Sequence, residues 1–339
     1  MKVLVTGGAG FIGSNFVLRL RRERPDVAIV NVDLLTYAGN LENLAGLQED
    51  GGHVFVRADV ADRPAMEAVF AAHRPDGVLH FAAESHVDRS ILDATPFVRN
   101  NVAGTQVLLD LSRAHGVRRY LQVSTDEVYG TLGPAGKFTE DTPLAPNSPY
   151  AASKAAADLL VRAAVHTHDL PAVVTRCSNN YGPFQFPEKL IPLMIVNALE
   201  GRPLPVYGDG LQVRDWLHVE DHCAALWTVF ERGRPGSVYN IGGNNEQTNL
   251  DVVRAILREL GRGEDLIRYV KDRPGHDRRY AIDARRIRDE LGWEPSRRFE
   301  EALPDTVRWY LGHRDWWERV RSGAYREYYE RQYGARGSA

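Results

Sequence analysis

A recurring βα rhythm constrains this 339-residue chain more than any other feature. Short apolar, partly β-branched runs at 2–6, 27–32, 53–57, 77–81, 117–124 and 172–176 alternate with stretches that mostly carry helical periodicity. Runs such as VLVT and VVT show no polar alternation, so they suit strands covered on both faces by helices. The pattern predicts an α/β fold built on a doubly wound, mostly parallel sheet.

Beyond residue 181 the rhythm changes. Residues 182–192 are rich in proline and aromatics, a helix is expected to follow to Leu199, and 201–222 mixes short strand and turn signals. Residues 1–180 are therefore read as the core and 181–339 mainly as a smaller, interleaved C-terminal α/β lobe. Segments at about 216–245 are expected to return to the core, since 221–229 reads as helix and VYNIG at 238–242 as a strand. Thr248 before 249–260, and Asp283 ahead of 284–291 with Gly292 beyond, mark two bounded helices. Trp309, Trp316, Trp317, Tyr325, Tyr328 and Tyr329 alternate with charges and read as stripes packing helices on the body; the terminal GARGSA is expected to fray.

Composition narrows the class. Forty-two basic against 45 acidic residues leave a net charge of -3, which argues against a globally basic nucleic-acid surface, so any anion site is local. Cys177 and Cys223 form no C-x-x-C pair, which points away from a disulfide framework or thiolate zinc site and towards a reducing, cytoplasmic setting. The opening MKVLVTGG is too short an apolar run for a signal segment or membrane span.

The first chemical commitment is the glycine turn. Gly7, Gly10 and Gly13 follow the first strand at G-x-x-G-x-x-G spacing and open a helix expected over 12–21. Missing Cβ atoms let backbone N–H groups approach a pyrophosphate at the helix N-terminus, the Rossmann arrangement. Asp33, 20 residues past Gly13 at the end of the second strand, is placed to accept both ribose hydroxyls and would repel a 2′-phosphate, which favours NAD over NADP. Asp59 and Val60 after the third strand suit the adenine end, with a helix cap as the alternative role for Asp59. Phe81, Ala82 and Ala83 after the fourth are small enough, in part, to admit the cofactor.

Tyr150 and Lys154 stand four apart on a helix opened by Pro149, so they share a face. A phenol is too weak an acid to serve as a base alone, but a neighbouring ammonium and a nicotinamide charge stabilise its phenolate. Lys154 also suits the nicotinamide ribose. Thr125, Asp126 and Glu127 sit at the C-terminal edge of the fifth strand, where open α/β sheets bind ligands. Two adjacent carboxylates with separate duties require one held protonated and one ionised. Glu84 is flanked by His80 and His86 without metal-ligand spacing, so no metal is expected; His86 is read as bonding within its own loop.

These motifs together resemble the extended short-chain dehydrogenase/reductase (NAD-dependent epimerase/dehydratase) family and, within it, the dTDP-glucose 4,6-dehydratases. The likeness runs through TGGAGFIGSNF, LTYAGN, HFAAESHVDRS, STDEVYG, SPYAASKAAAD, RCSNNYGPFQFPEKLIP, YGDGLQVRDWLHVEDH and DELGWEP. The resemblance implies that Tyr150, assisted by Lys154 and Thr125, removes the C4 hydroxyl proton of dTDP-glucose, Glu127 takes the C5 proton and Asp126 protonates the departing C6 hydroxyl. It also implies Phe11, Ile12, Thr36, Ser85 and Asn180 as cofactor residues. Glu84, Ser85, Thr125, Asn179, Lys189, Leu190, Pro205, Tyr207, Arg214, Asn249, Arg273, His276 and Tyr280 fall to the nucleotide sugar. A homodimer is implied, through helices including 103–114 and the Tyr150 segment. Two departures stand out: Leu34 where relatives often carry lysine, and His218 where tyrosine is common. Dehydration of another nucleotide hexose, 4-epimerisation and a non-catalytic NAD-binding regulator are the competing readings; an epimerase has no use for the Asp126–Glu127 pair.

Overall fold

The computed structural model describes residues 1–47 and 49–321. Tyr325, Tyr328, Tyr329 and the terminal GARGSA lie outside the described residues. The first part of the chain runs β1 (Lys2–Thr6), α1 (Phe11–Glu23), β2 (Ala28–Asp33), β3 (His53–Arg57), α2 (Arg63–His73), β4 (Gly77–His80), α3 (Val87–Leu92), α4 (Thr95–Phe97), α5 (Gly104–Ala114), β5 (Arg119–Thr125), α6 (Pro149–His168) and β6 (Ala172–Cys177). It continues through β7 (Asn179–Tyr181), α7 (Leu190–Leu199), β8 (Leu204–Tyr207), β9 (Val213–His218), α8 (Val219–Arg232), β10 (Val238–Ile241), β11 (Glu246–Thr248), α9 (Asn249–Glu259), β12 (Ile267–Val270), α10 (Arg285–Leu291), α11 (Phe299–Gly312) and α12 (Arg314–Val320).

Seven strands form one sheet in the order β10-β6-β5-β4-β1-β2-β3, every pairing parallel. Residues alternate between its faces as the strand period requires: Val3 and Val5 pack into the core shared with α1 and α8, Leu4 into the opposite core with α2 and α5. Burying each such side chain contributes on the order of 1.5–3 kcal/mol. Strand order reverses direction between β1 and β4, so a crevice opens at their carboxyl ends.

Local chemistry sets the helices that border this crevice. Ser148 caps α6 through its hydroxyl, which accepts the Ala151 N–H at 3.1 Å, and Pro149 occupies the first turn. Asp62 rather than Asp59 caps α2. Thr248 caps α9, and Gly292 closes α10 with φ 69°. Between α4 and α5, residues 98–103 form a π-helical turn.

Three further strands, β11-β9-β7, and a parallel pair, β12-β8, build the lobe with α7, α9 and α11. Strand β10 leaves it to pair with β6 at the edge of the large sheet. His218 has a defined place here: its Nδ1 accepts the Glu220 N–H at 3.3 Å, capping α8, while its ring meets Tyr181 edge-on at 5.3 Å. Among the described residues, no helix is long and apolar enough to cross a membrane.

Candidate active site

Two clefts meet at the carboxyl edge of the large sheet. The first, with about 1180 Å³ of empty volume, follows the glycine turn. Gly7 takes φ 72°, where a Cβ would lie 2.6 Å from the Ala82 nitrogen, and a Cβ on Gly13 would collide with the Gly7 carbonyl. Gly10 has only that carbonyl near its missing Cβ, at 3.3 Å, so the backbone there stays open to a ligand. Phe11, Ile12, Asp33, Thr36, Asp59, Val60, Phe81, Ala82, Ala83, Glu84 and Ser85 line the same cleft, as does Leu34.

Asp33 anchors its own loop: one carboxylate oxygen accepts the Ala9 N–H at 3.0 Å, the other the Leu35 N–H at 2.8 Å. Burial raises its pKa, and the two backbone donors oppose that rise. Asp59 accepts the Ala61 N–H and pairs with Arg99 at 2.6 Å. An open glycine cradle at a helix N-terminus, with a carboxylate at the end of β2, fits NAD and disfavours a 2′-phosphate, and Arg57, the strand partner of Asp33, gives its Nε to the Leu34 carbonyl at 3.3 Å.

The second cleft lies under the lobe, lined by Glu127, Asn179, Lys189, Leu190, Pro205, Tyr207, Arg214, Asn249, Arg273, His276 and Tyr280. Its buried polar atoms are short of partners: Asn179 Oδ1, Arg273 Nε and Trp216 Nε1 have none among the described residues. Arg214 donates to the Val213 and Asp277 carbonyls and stacks 4.3 Å over the Tyr280 ring, whose hydroxyl donates to Asp277. Such a concentration of guanidinium and amide groups suits a diphosphate despite the net negative chain.

Strand β5 joins the clefts, since Val123 lines the first and Glu127, just beyond the strand, the second; Glu188 and Lys189 line both. The Thr125 hydroxyl accepts the Glu127 N–H at 3.3 Å and stands beside Tyr150. Burial drives the Asp126 carboxyl well above the ordinary range, and the charges of Glu127 and Asp215 push the same way. Glu127 is also raised by burial, but Arg273, Lys189 and Arg214 all pull it down. Both carboxyls are thus raised, but neighbouring carboxylates add to the rise at Asp126 while three cations oppose it at Glu127, so Glu127 is the readier of the two to ionise. Asp215 itself is held by the Gly243 and Asn245 N–H groups.

Tyr150 is buried, which raises its phenol well above the usual value, and Glu127 and Cys177 add to the rise. Lys154 donates to the Val123 carbonyl at 2.7 Å, with a pKa lowered by burial. Its hydrogen bond thus runs to the backbone beside the first cleft rather than to the phenol. The amide of Asn180 is taken up by His222 Nδ1 at 2.9 Å and the Ser178 carbonyl, and this residue lines neither cleft. His86 faces Glu188 across the cleft at 3.9 Å, beyond its own loop. His80 bridges the hydroxyls of Thr6 and Thr105 within the core.

Sequence reasoning passed over Asn101, which receives the Glu84 N–H on its carbonyl oxygen and donates to the Glu84 carbonyl and to Ser153 Oγ; Ser153 in turn donates to the Tyr150 carbonyl. It ties α6 to the segment beyond β4 that lines the first cleft. Asn100 and Asn101 both bond Glu84 from within the π-helical turn 98–103, and such a turn is invisible in sequence periodicity.

The chain is similar to known proteins over most of its length. The family model described as GDP-mannose 4,6 dehydratase matches residues 4–306. A dTDP-glucose 4,6-dehydratase of Xanthomonas campestris pv. campestris is 56% identical, with 95% of this chain and 97% of that protein aligned. Among solved structures, a dTDP-glucose 4,6-dehydratase from Bacillus anthracis in complex with NAD superposes with a TM-score of 0.89 at 51% identity, covering 94% of this chain and 99% of that one. The Streptomyces venezuelae dTDP-glucose 4,6-dehydratase DesIV, also solved with NAD, gives 0.92 at 49%, covering 94% and 100%. The chain belongs to the NAD-dependent epimerase/dehydratase family and, within it, to the dTDP-glucose 4,6-dehydratases.

Proposed function

We propose that this protein converts dTDP-glucose to dTDP-4-dehydro-6-deoxyglucose and water, using NAD without net redox change. The observation that carries the reading is the pair of adjacent buried carboxyls at the end of β5 in unlike surroundings, Asp126 beside the charges of Glu127 and Asp215, Glu127 beside Arg273, Lys189 and Arg214. Oxidation and re-reduction at C4 alone need neither; elimination across C5 and C6 needs both.

The glycine cradle of Gly7, Gly10 and Gly13 holds the pyrophosphate of NAD and Asp33 its adenosine ribose, while Lys154 serves the nicotinamide end. Bound there, NAD supplies the acceptor for the C4 hydrogen, the later donor to C6, and a positive charge near Tyr150. Tyr150, with Thr125 beside its oxygen, accepts the C4 hydroxyl proton. The resulting ketone acidifies C5; Glu127 removes that proton while Asp126 gives its own to the C6 hydroxyl, which leaves as water. Glu127 then returns a proton to C5, and the C4 ketone remains. Arg214, Arg273 and Lys189 hold the diphosphate and favour the Glu127 anion against its burial.

The protein acts in the cytoplasm as a homodimer. The outward face of α6, where Leu159 is 55% exposed, pairs with its copy beside α5. Incubation with dTDP-glucose and with UDP-, GDP- and CDP-hexoses, followed by mass spectrometry, tests the reading. Loss of one water confined to the dTDP sugar supports it; no water loss from any nucleotide hexose defeats it.

A further inference from the structure

Two segments far apart in sequence line the first cleft: the loop 34–39 after β2 and the stretch 185–189 before α7. Each is entered through a non-glycine residue in the left-handed region, Leu35 at φ 57° and Phe184 at φ 66°, so each is held against local preference. The first segment is folded over the ribose carboxylate, because Asp33 accepts the Leu35 N–H at 2.8 Å.

A set of contacts outside the described chemistry joins the two. The Tyr37 ring meets Phe186 edge-on at 5.6 Å. Above the same ring, 4.0 Å from its centroid, lies the guanidinium of Arg89 from α3. Both Nε and Nη2 of Arg89 reach one carboxylate oxygen of Glu188 at 3.2 Å, and the Glu188 side chain is only 1% exposed. Next to it, Lys189 donates to the Ser85 carbonyl at 2.7 Å, fastening the second segment to the strand end that lines the cleft. Neither Tyr37 nor Arg89 lines either cleft, so their contacts serve to hold cleft walls together rather than to touch a ligand.

We propose that Tyr37, Arg89 and Glu188 form a clasp that retains the dinucleotide by tying the loop 34–39 to the segment 185–189. The inference deepens the proposed function. A reaction that takes hydrogen from C4 and returns it to C6 needs the same cofactor throughout one turnover, and escape midway would strand a keto sugar. Tyr37 and Arg89 are therefore positioning residues. They close walls that Asp33 and the glycine turn cannot close, since those groups lie on one side of the cleft.

The test follows NAD release from purified protein without substrate, by its absorbance ratio after gel filtration and by its dissociation rate against a competing analogue. Tyr37→Leu leaves the Arg89–Glu188 pair intact and removes the ring; Arg89→Met removes the guanidinium. Each is expected to speed NAD dissociation at least tenfold, equivalent to about 1.4 kcal/mol. The affinity for dTDP, measured by calorimetry at saturating NAD, stays within twofold. Dissociation within twofold of the parent in Tyr37→Leu overturns the clasp, whether or not Arg89→Met folds. Loss of dTDP affinity by the same factor as NAD also overturns it, since that marks general collapse of the site. Because no sugar is turned over, the result is independent of whether the parent dehydrates dTDP-glucose.

Discussion

Replacing Glu127 with glutamine separates the two halves of the proposed chemistry. The amide keeps the shape of the side chain but cannot take a proton, so the C5 step loses a general base worth about 10²- to 10⁴-fold in rate. That is roughly 3–5 kcal/mol of barrier at about 1.4 kcal/mol per decade. Its surroundings give the C4 step the opposite sign. The Glu127 charge is the largest contribution after burial to the raised Tyr150 pKa, so its removal brings the phenol down and leaves proton removal from the C4 hydroxyl no harder. Removing the anion also leaves Arg273, Lys189 and Arg214 with less to neutralise, so KM for the anionic substrate does not rise. Incorporation of solvent deuterium at C5 and pre-steady-state oxidation at C4 report the two steps. C5 exchange within tenfold of the parent, or equal slowing of both steps, would refute the assignment.

Other perturbations reach the scaffold. Arg176→Met strips the partner from Asp158, bonded at 2.9 Å deep in the core, and also the Arg176 bond to Tyr129; a loss of about 3–5 kcal/mol in urea unfolding is expected. Gly13→Ala drives a methyl into the Gly7 carbonyl, and purified protein should lose its bound NAD while its far-ultraviolet circular dichroism is preserved. Acid weakens the fold through His80 and His222, both fully buried and pushed down to about 3. The unfolded chain takes up these protons near pH 6.5 and the folded chain does not, so stability is full above that pH and falls as the pH drops towards 3. By pH 5 each costs about 2 kcal/mol, and His222→Gln should flatten the urea midpoint between pH 6.5 and 5 by one proton's share.

The sequence carries features that are local. The glycine spacing fixes the cradle, Asp33 ends its strand, and the Ser148-Pro149 start places Tyr150 and Lys154 on the first two turns of one helix. The seven-stranded sheet follows from the uninterrupted apolar runs, and even the return of 238–241 to its edge is legible as a β-branched strand after a helix. Features set by distant chain are not. Which of Asp126 and Glu127 is the acid depends on Asp215, Arg214 and Arg273, all from the lobe. The Lys154 bond to the Val123 carbonyl and the Asn180 bond to His222 cross between elements with no periodic signal. Nothing in the sequence singles out Tyr37 or Arg89; only their meeting beside Glu188 gives them a role.

The most direct test of the central claim follows one hydrogen. dTDP-glucose deuterated at C4, mixed with unlabelled substrate carrying a heavy-carbon tag, is turned over by the purified protein and the product mapped by NMR and mass spectrometry. The account predicts deuterium at C6 of untagged product alone, with solvent hydrogen at C5. Deuterium retained at C4, lost to water, or transferred to the tagged molecules would contradict it.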